Sequence, residues 1–492
     1  MKTRNLKGTV ALGSLTATVA LLAGLSNASA QSAPGAGSFP QSFLIPGTNT
    51  SLSIYGVIKS SWRDNLGAQH DSDNGAPAGA SEAFHIGQLA LQGPGAAGGN
   101  SSATQQNSIH GGFRGVAKAS TLTFETRTPS SLGEIKTVLA LDMNLFPNQA
   151  NYIGATTSST KPSAGSGNTE GPRLLWSYAT IGPWLIGQYN TNFADPTLFP
   201  DVSDAGFTAA FMNTANIRQP QIRYTYLAGG GVSLSASLEY HEGGTLYVSP
   251  GTVATAAMTS AAVASFVSDN TDIGGVVNMP NFNAGVNWDQ PWGHLMGRIG
   301  ISRNEVRNTQ GGTAILGPAS SNNNGANNIK KWGWAIAAGG YINTWGNDRW
   351  KFQATYSDGA SNYMTDLSAT GAGNMFCNGF TGSCKLISDF GISTSYTHVF
   401  NPNWRSTASF GMGFFSKPSN AAGLTNVGSG TTAAQLASLE KRHLASQLNV
   451  VYSPVPGITD IYLEWDHWDR WVQASNTHGW SQAFSVGFNI FW

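Results

Sequence analysis

The chain has 492 residues, of which only 11% are charged, with 26 Lys and Arg against 26 Asp and Glu. So even a balance, with no basic surplus, excludes bulk nucleic-acid binding. The low charge, the 60 glycines and the 11% aromatic content are unlike an ordinary soluble domain, where about 25% of residues are charged.

Met1 to Ala30 reads as a secretory signal peptide. Lys2, Arg4 and Lys7 precede an apolar run from about Thr9 to Leu25, and Ala28-Ser29-Ala30 is a small-residue cleavage site. Beyond it no stretch is apolar for the ~18 residues that a spanning helix needs. Loss of the three leader cations leaves the mature chain slightly acidic. Residues 31–50 are rich in Pro, Gly and Ser and read as a periplasmic lead-in.

From Ser51 onward, period-two segments of about ten residues recur. They fall at 51–62, 111–128, 133–145, 172–181, 184–191, 220–228, 231–241, 281–290, 293–303, 332–343, 348–358, 386–399, 404–416, 442–453, 458–468 and 480–492. The connections alternate between short turns, such as Gly182-Pro183, and long loops, such as 192–219. That rhythm predicts an all-β fold, a transmembrane antiparallel β-barrel of sixteen strands over 51–492. Glu82–Gly93 is also strand-like and is assigned to the first external loop. Eighteen strands are possible if 250–280 hides another strand. The last segment shows the pattern best. Trp480, Phe484, Val486, Phe488, Ile490 and Trp492 share one face, opposite Ser481, Ala483, Ser485 and Gly487. Aromatic residues at both ends of such a strand suit the two girdles of a barrel in the bacterial outer membrane.

If the apolar face meets lipid, the charges line the lumen. The cations there are Arg114, Arg127, Lys136, Arg173, Arg223, Arg298 and Lys351, and the acids Glu125, Glu134, Asp142, Glu239, Glu464 and Asp466. The loop at 192–219 is expected to fold inward and narrow the pore, with Arg218 at its end. Opposed charges across such a constriction select solutes. Cys377 and Cys384 close a small polar loop, and export makes a disulfide their expected state.

The segment LLWSYATIGPWLIGQYNTNFADPTLFPD, starting at Leu174, and IRQPQIRYT at 217–225 resemble the DcaP-like porins of Gram-negative outer membranes. LTFETRTPSSLGEIKTVLALDMNLF, from Leu122, and SIYGVIK at 53–59 resemble the same family. The resemblance implies a trimeric sixteen-stranded porin for small organic acids, dicarboxylates among them. It also implies that the loop after Gln188 dips into the pore. Carried over by position, Arg173, Arg218 and Arg223 become the expected carboxylate contacts, because a guanidinium grips a carboxylate bidentately. The chain departs from the family in its Pro/Gly-rich 31–50, where a coiled-coil segment is usual. It also lacks a basic residue near Thr121 and ends on Trp492 rather than Phe.

No G-x-S-x-G, H-E-x-x-H or P-loop is present, so an enzyme is not expected, nor is a cofactor. His70 to Gly75 is an acidic turn without the closing Glu of a calcium loop, and no metal site is expected. The expected partners are small solutes and outer-membrane lipid, with no nucleic acid. The competing expectation is a plugged or adhesive barrel whose external loops bind a partner.

Overall fold

The computed structural model describes residues 35–66, 112–117, 119–145, 171–203, 218–240, 246–249, 266–267, 279–306, 309–310, 313–314, 329–364, 374–378, 383–419, 440–473 and 478–492. The expected signal peptide, the strand-like 82–93, the turn at 70–75 and loop residues 204–217 lie outside them. Among the described residues there is no α-helix, and sixteen antiparallel strands form one closed barrel.

In chain order the barrel strands are β1 (Ser51–Asn65), β2 (Thr121–Ser130), β3 (Gly133–Leu145), β4 (Gly171–Ile181), β5 (Trp184–Asn190), β6 (Arg218–Gly229), β7 (Val232–Glu239) and β8 (Asn281–Gln290). They continue as β9 (Gly293–Val306), β10 (Ile329–Asn343), β11 (Arg349–Asp358), β12 (Ser388–Asn401), β13 (Trp404–Phe415), β14 (Glu440–Val455), β15 (Thr459–Val472) and β16 (His478–Phe491). Each pairs with the next, and β16 closes on β1 from Val57↔Phe491 to Asn65↔Ala483. Closure leaves no open backbone edge, which lipid could not hydrate.

The expected second strand, 111–128, is interrupted. Gly112–Val116 pairs with the far half of β1, and β2 pairs with the near half. Between them, residues 117–120 oppose one residue fewer on β1, which makes a bulge. Ser120 Oγ takes over the ladder there, accepting from Lys59 N at 3.0 Å and donating to Lys59 O at 3.2 Å.

Side-chain phase follows the alternation. Phe484, Val486, Phe488 and Ile490 are exposed on the outer face, whereas Ser481, Ala483 and Ser485 are buried inside. Trp480 and Trp492 stand exposed at the two ends of this strand. Replacing Phe484 by Arg should cost ~2–4 kcal/mol at mid-depth. The loss would appear as a lower urea midpoint for folding into lipid vesicles, followed by heat-modifiable migration.

Short strands outside the sixteen add to the barrel. The lead-in folds back on it, with Phe43–Leu44 pairing to Leu52 and Ser51 and the Phe39 ring lying 4.4 Å from the Arg127 guanidinium. Outside the barrel, a small sheet joins the fourth and sixth external loops. Leu246–Ser249 pairs in parallel with Met375–Asn378 and antiparallel with Phe266–Val267. Phe266–Val267 thus belongs to this external sheet, so the barrel keeps sixteen strands and not eighteen. Met375–Asn378 in turn pairs with Ser383–Leu386, which sets Cys377 opposite Cys384. Cys384 is disulfide-bonded.

Candidate functional site

The third external loop leaves β5 at Asn190 and turns into the barrel. A glycine makes the departure possible. Gly187 sits at φ +126°, and a Cβ there would lie 2.3 Å from Ser177 O. No side chain fits at that position, so β5 can bend inward above Trp184.

From Asn192 to Ser203 the loop runs along the inner wall, and each stage is tethered. Asn192 N donates to Glu239 Oε1 at 2.7 Å, and Ser235 Oγ donates to Asn192 Oδ1 at 2.9 Å. Asp195 Oδ2 meets His294 Nε2 at 2.8 Å and Arg298 Nη2 at 3.3 Å. His294 reaches Asp289 with its other ring nitrogen at 2.7 Å. Asp195 also caps a single 3₁₀ turn, Pro196–Leu198, by accepting from Thr197 N at 3.0 Å. Lys351 Nζ donates to Phe199 O.

Asp201 is held most firmly. Arg405 donates to both of its carboxylate oxygens, and Tyr462 OH to Oδ1 at 3.2 Å. The same guanidinium donates to Asp460 Oδ1 at 3.1 Å and Oδ2 at 2.9 Å. Asn449 Nδ2 donates to Asp201 O at 2.8 Å, and Ser203 binds Glu464 through both its backbone N and its hydroxyl. The loop therefore follows the wall from β7, past β9 and β11, to β15.

Apolar contacts supplement these bonds. Phe193 and Leu198 pack against Met296, Ala335 and Ala337. The inward face of β10 is Gly333, Ala335, Ala337 and Gly339, all buried, and these small residues leave room for the loop. The sixth external loop also folds inward. Its 3₁₀ turn, Ser361–Tyr363, buries Tyr363 completely, and that ring stacks on Phe193 with centroids 4.4 Å apart.

Burial alone would push the Asp195 carboxyl up. Hydrogen bonds from His294 and Thr197, with the Arg298 charge, outweigh it and hold the group below the ordinary aspartate range. A depressed value contributes loop attachment at and above the ordinary aspartate pKa of about 3.9, and loses it as pH falls through the lower folded value. Channel conductance should therefore stay level from pH 7 to about 4 and grow noisy only below that. Asp195→Asn should show the noise already at pH 7 in single-channel traces.

The opposite wall, β1 to β6, carries the other cations. Arg173 binds Asp142 through Nε at 3.0 Å and Nη2 at 2.5 Å. Glu125 lies 2.8 Å from Arg127 and 3.2 Å from Lys136, and Arg127 is also 3.6 Å from Glu134. Arg223 donates to Gln221 Oε1 at 2.9 Å and to Asn190 O at 2.5 Å. Arg218 begins β6 and is half-buried beside Arg173 and Asp142. Its Nε has no hydrogen-bond partner among the described residues. Aromatic rings stand among these groups. Tyr178 and Tyr189 are 4.7 Å apart, Trp176 and Tyr189 6.0 Å, and Arg223 lies 5.6 Å from the Tyr189 ring.

The sequence-derived residues thus divide. Arg173, Arg218 and Arg223 gather on one wall, with Lys136 and Arg127 further along it. Arg298 and Lys351 are instead engaged by the loop, as are Glu239 and Glu464. Asp466 is buried and accepts from Gln447 Nε2 at 2.9 Å. The side chain of Arg114 lies outside the described ones. His294, Arg405 and the inward sixth loop were not anticipated. Alternation could have found Arg405, which shares its phase with Thr407 and Ser409, opposite Trp404 and Ala408.

A family model described as Porin subfamily matches residues 40–486. Among solved structures, the chain is similar to the outer membrane channel DcaP of Acinetobacter baumannii, with a TM-score of 0.60 and 16% identity, covering 92% of this chain and 99% of that one. Weaker similarity reaches Pseudomonas putida OprB, with a TM-score of 0.45, 8% identity and 90% and 94% of the two chains covered. The trimer form of Vibrio cholerae OmpT gives a TM-score of 0.44 at 8% identity, covering 90% and 99%. At such identities the likeness is one of fold. No curated protein sequence matches the chain.

Proposed function

The chain belongs to the porin subfamily and is a non-enzymatic channel of the bacterial outer membrane; on that premise we propose that its passage prefers small organic anions, dicarboxylates among them. The solutes pass between the inward loop and the β1–β6 wall. One observation carries this reading, the charge balance across that gap. On the loop side, Asp195 and Asp201 are already matched by Arg298 and Arg405. On the wall, Glu125 and Asp142 are matched by Arg127, Lys136 and Arg173. Arg218 and Arg223 are left without a carboxylate at ion-pair distance among the described residues. Two guanidinium groups in surplus attract carboxylates and can hold them bidentately. Tyr178, Tyr189 and Trp176 give the hydrocarbon part of such a solute an apolar neighbour.

Proteoliposome swelling tests the preference. A short dicarboxylate should enter faster than a neutral sugar of similar size. Equal rates would remove the anion preference, and no swelling with either would favour a plugged barrel.

We also propose a homotrimer, as the family resemblance implies, cleavage after Ala30, and a disulfide between Cys377 and Cys384 that braces the sixth loop. Chemical cross-linking in detergent, N-terminal sequencing and non-reducing peptide mapping respectively test these three.

A further inference from the structure

Among the described residues, five buried polar atoms without a hydrogen-bond partner lie on residues where the third and sixth loops touch the β7–β9 wall. They are Glu239 Oε2, Asn281 Nδ2, Asn283 Oδ1, the Tyr363 hydroxyl and Asn192 Nδ2. Asn281 is the cross-strand partner of Glu239, and Asn283 follows two residues on, opposite Ser237. The Tyr363 hydroxyl lies beside both asparagines without a hydrogen bond of ordinary geometry. A Cβ on Gly300 would stand 2.7 Å from Asn283 Oδ1 and 2.7 Å from Tyr363 Cε2, so a glycine there keeps the space open.

Glu239 is fully buried. Its Oε1 accepts from Asn192 N and Ser237 Oγ, both at 2.7 Å, while Oε2 has no hydrogen-bond partner among the described residues. Arg223 is the nearby charge, but its nitrogens are directed to Gln221 and Asn190. A buried carboxylate with one unmatched oxygen is costly unless a cation meets it. The Asn283 amide oxygen and the Tyr363 phenol oxygen belong to residues of the same stretch of wall and loop. A half-turn of the Asn281 amide, which exchanges its O and N, adds another.

We infer that this junction binds a divalent, oxygen-seeking cation of the calcium type. Its ligands are Glu239 Oε2, Asn283 Oδ1, the Asn281 amide oxygen and the Tyr363 hydroxyl, with water completing the six to eight that such an ion takes. A single carboxylate places the site in the weak class typical of extracellular modules. The ion joins the two inward loops, because Glu239 also holds Asn192 and Tyr363 also stacks on Phe193.

Terbium binding to the purified, folded chain tests the site, after chelation strips bound metal. Tyrosine excitation should give one saturable terbium signal per chain through Tyr363, displaced by calcium. Glu239→Gln should abolish it, and Asn283→Ala should weaken it at least tenfold. Asp389→Asn, another buried carboxylate, should leave it unchanged. No saturable signal in the wild-type chain, or an undiminished signal in Glu239→Gln, would overturn the site and leave the junction to water. If Glu239→Gln fails to show heat-modifiable migration, Asn283→Ala decides. Channel formation is read separately by conductance, so loss of the cation site and loss of the channel are distinct results.

Discussion

Arg405→Ala is expected to raise single-channel conductance and its noise, because it frees the far end of the inward loop. Arg405 joins the loop residue Asp201 to the wall residue Asp460, and its side chain is only 21% exposed. Removing one partner of a fully buried ion pair typically costs about 3–5 kcal/mol, and this half-buried network should lose less, since water reaches the carboxylates that remain. Here two carboxylates are stranded, and Tyr462 loses its place between them. The barrel ladder does not run through Arg405's side chain, so the folded form should still be recovered from detergent. The cost should fall on the loop. Arg405→Lys should rescue only partly, because an ammonium cannot reproduce the fork that reaches Asp201, Asp460 and Ser453 together. Unaltered conductance in Arg405→Ala would mean that the remaining tethers at Asn192, Asp195 and Ser203 suffice.

The second large effect is expected from Arg218→Ala combined with Arg223→Ala. These two have no carboxylate at ion-pair distance among the described residues. Their joint loss should abolish anion preference and shift the reversal potential in a salt gradient toward zero. Arg173→Ala should act differently. Asp142 would lose its two hydrogen bonds from Arg173 and leave one carboxylate less well matched on the same wall. That variant should weaken anion preference less than the double variant does, because Arg218 and Arg223 remain. Lys136→Ala should do little, because Arg127 keeps its contact with Glu125.

Much of the barrel was legible in the sequence because each strand must satisfy two solvents at once. WSQAFSVGFNIF from Trp480 can only alternate, and the observed phase matches it residue by residue. The Gly182-Pro183 and Pro291-Trp292 turns fixed strand ends, since two-residue links leave no freedom of register. The break at 117–120 was not legible, because Ser120 replaces backbone bonds with its hydroxyl and a bulge leaves no gap in the pattern. The site was legible by phase but not by partner. Alternation placed Arg298 and Lys351 in the lumen, yet could not say that Asp195 and the Phe199 carbonyl would claim them. Those partners come from a loop whose path depends on contacts across a hundred residues or more. One sign of that path was present. WGWAIAAGG from Trp332 gives a lumen face of glycine and alanine, where a wet wall would ordinarily bear polar side chains. Small residues on the inward face record the loop that lies over them.

In the proposed channel the inward loop is tethered with its acids already matched, so that the open passage borders Arg218 and Arg223. Reversal potential of the wild-type chain in a planar bilayer across a tenfold potassium chloride gradient tests this most directly. Discrete conductance steps and a reversal potential of the sign set by chloride are expected. Absence of steps, or a reversal potential set by potassium, would contradict this reading.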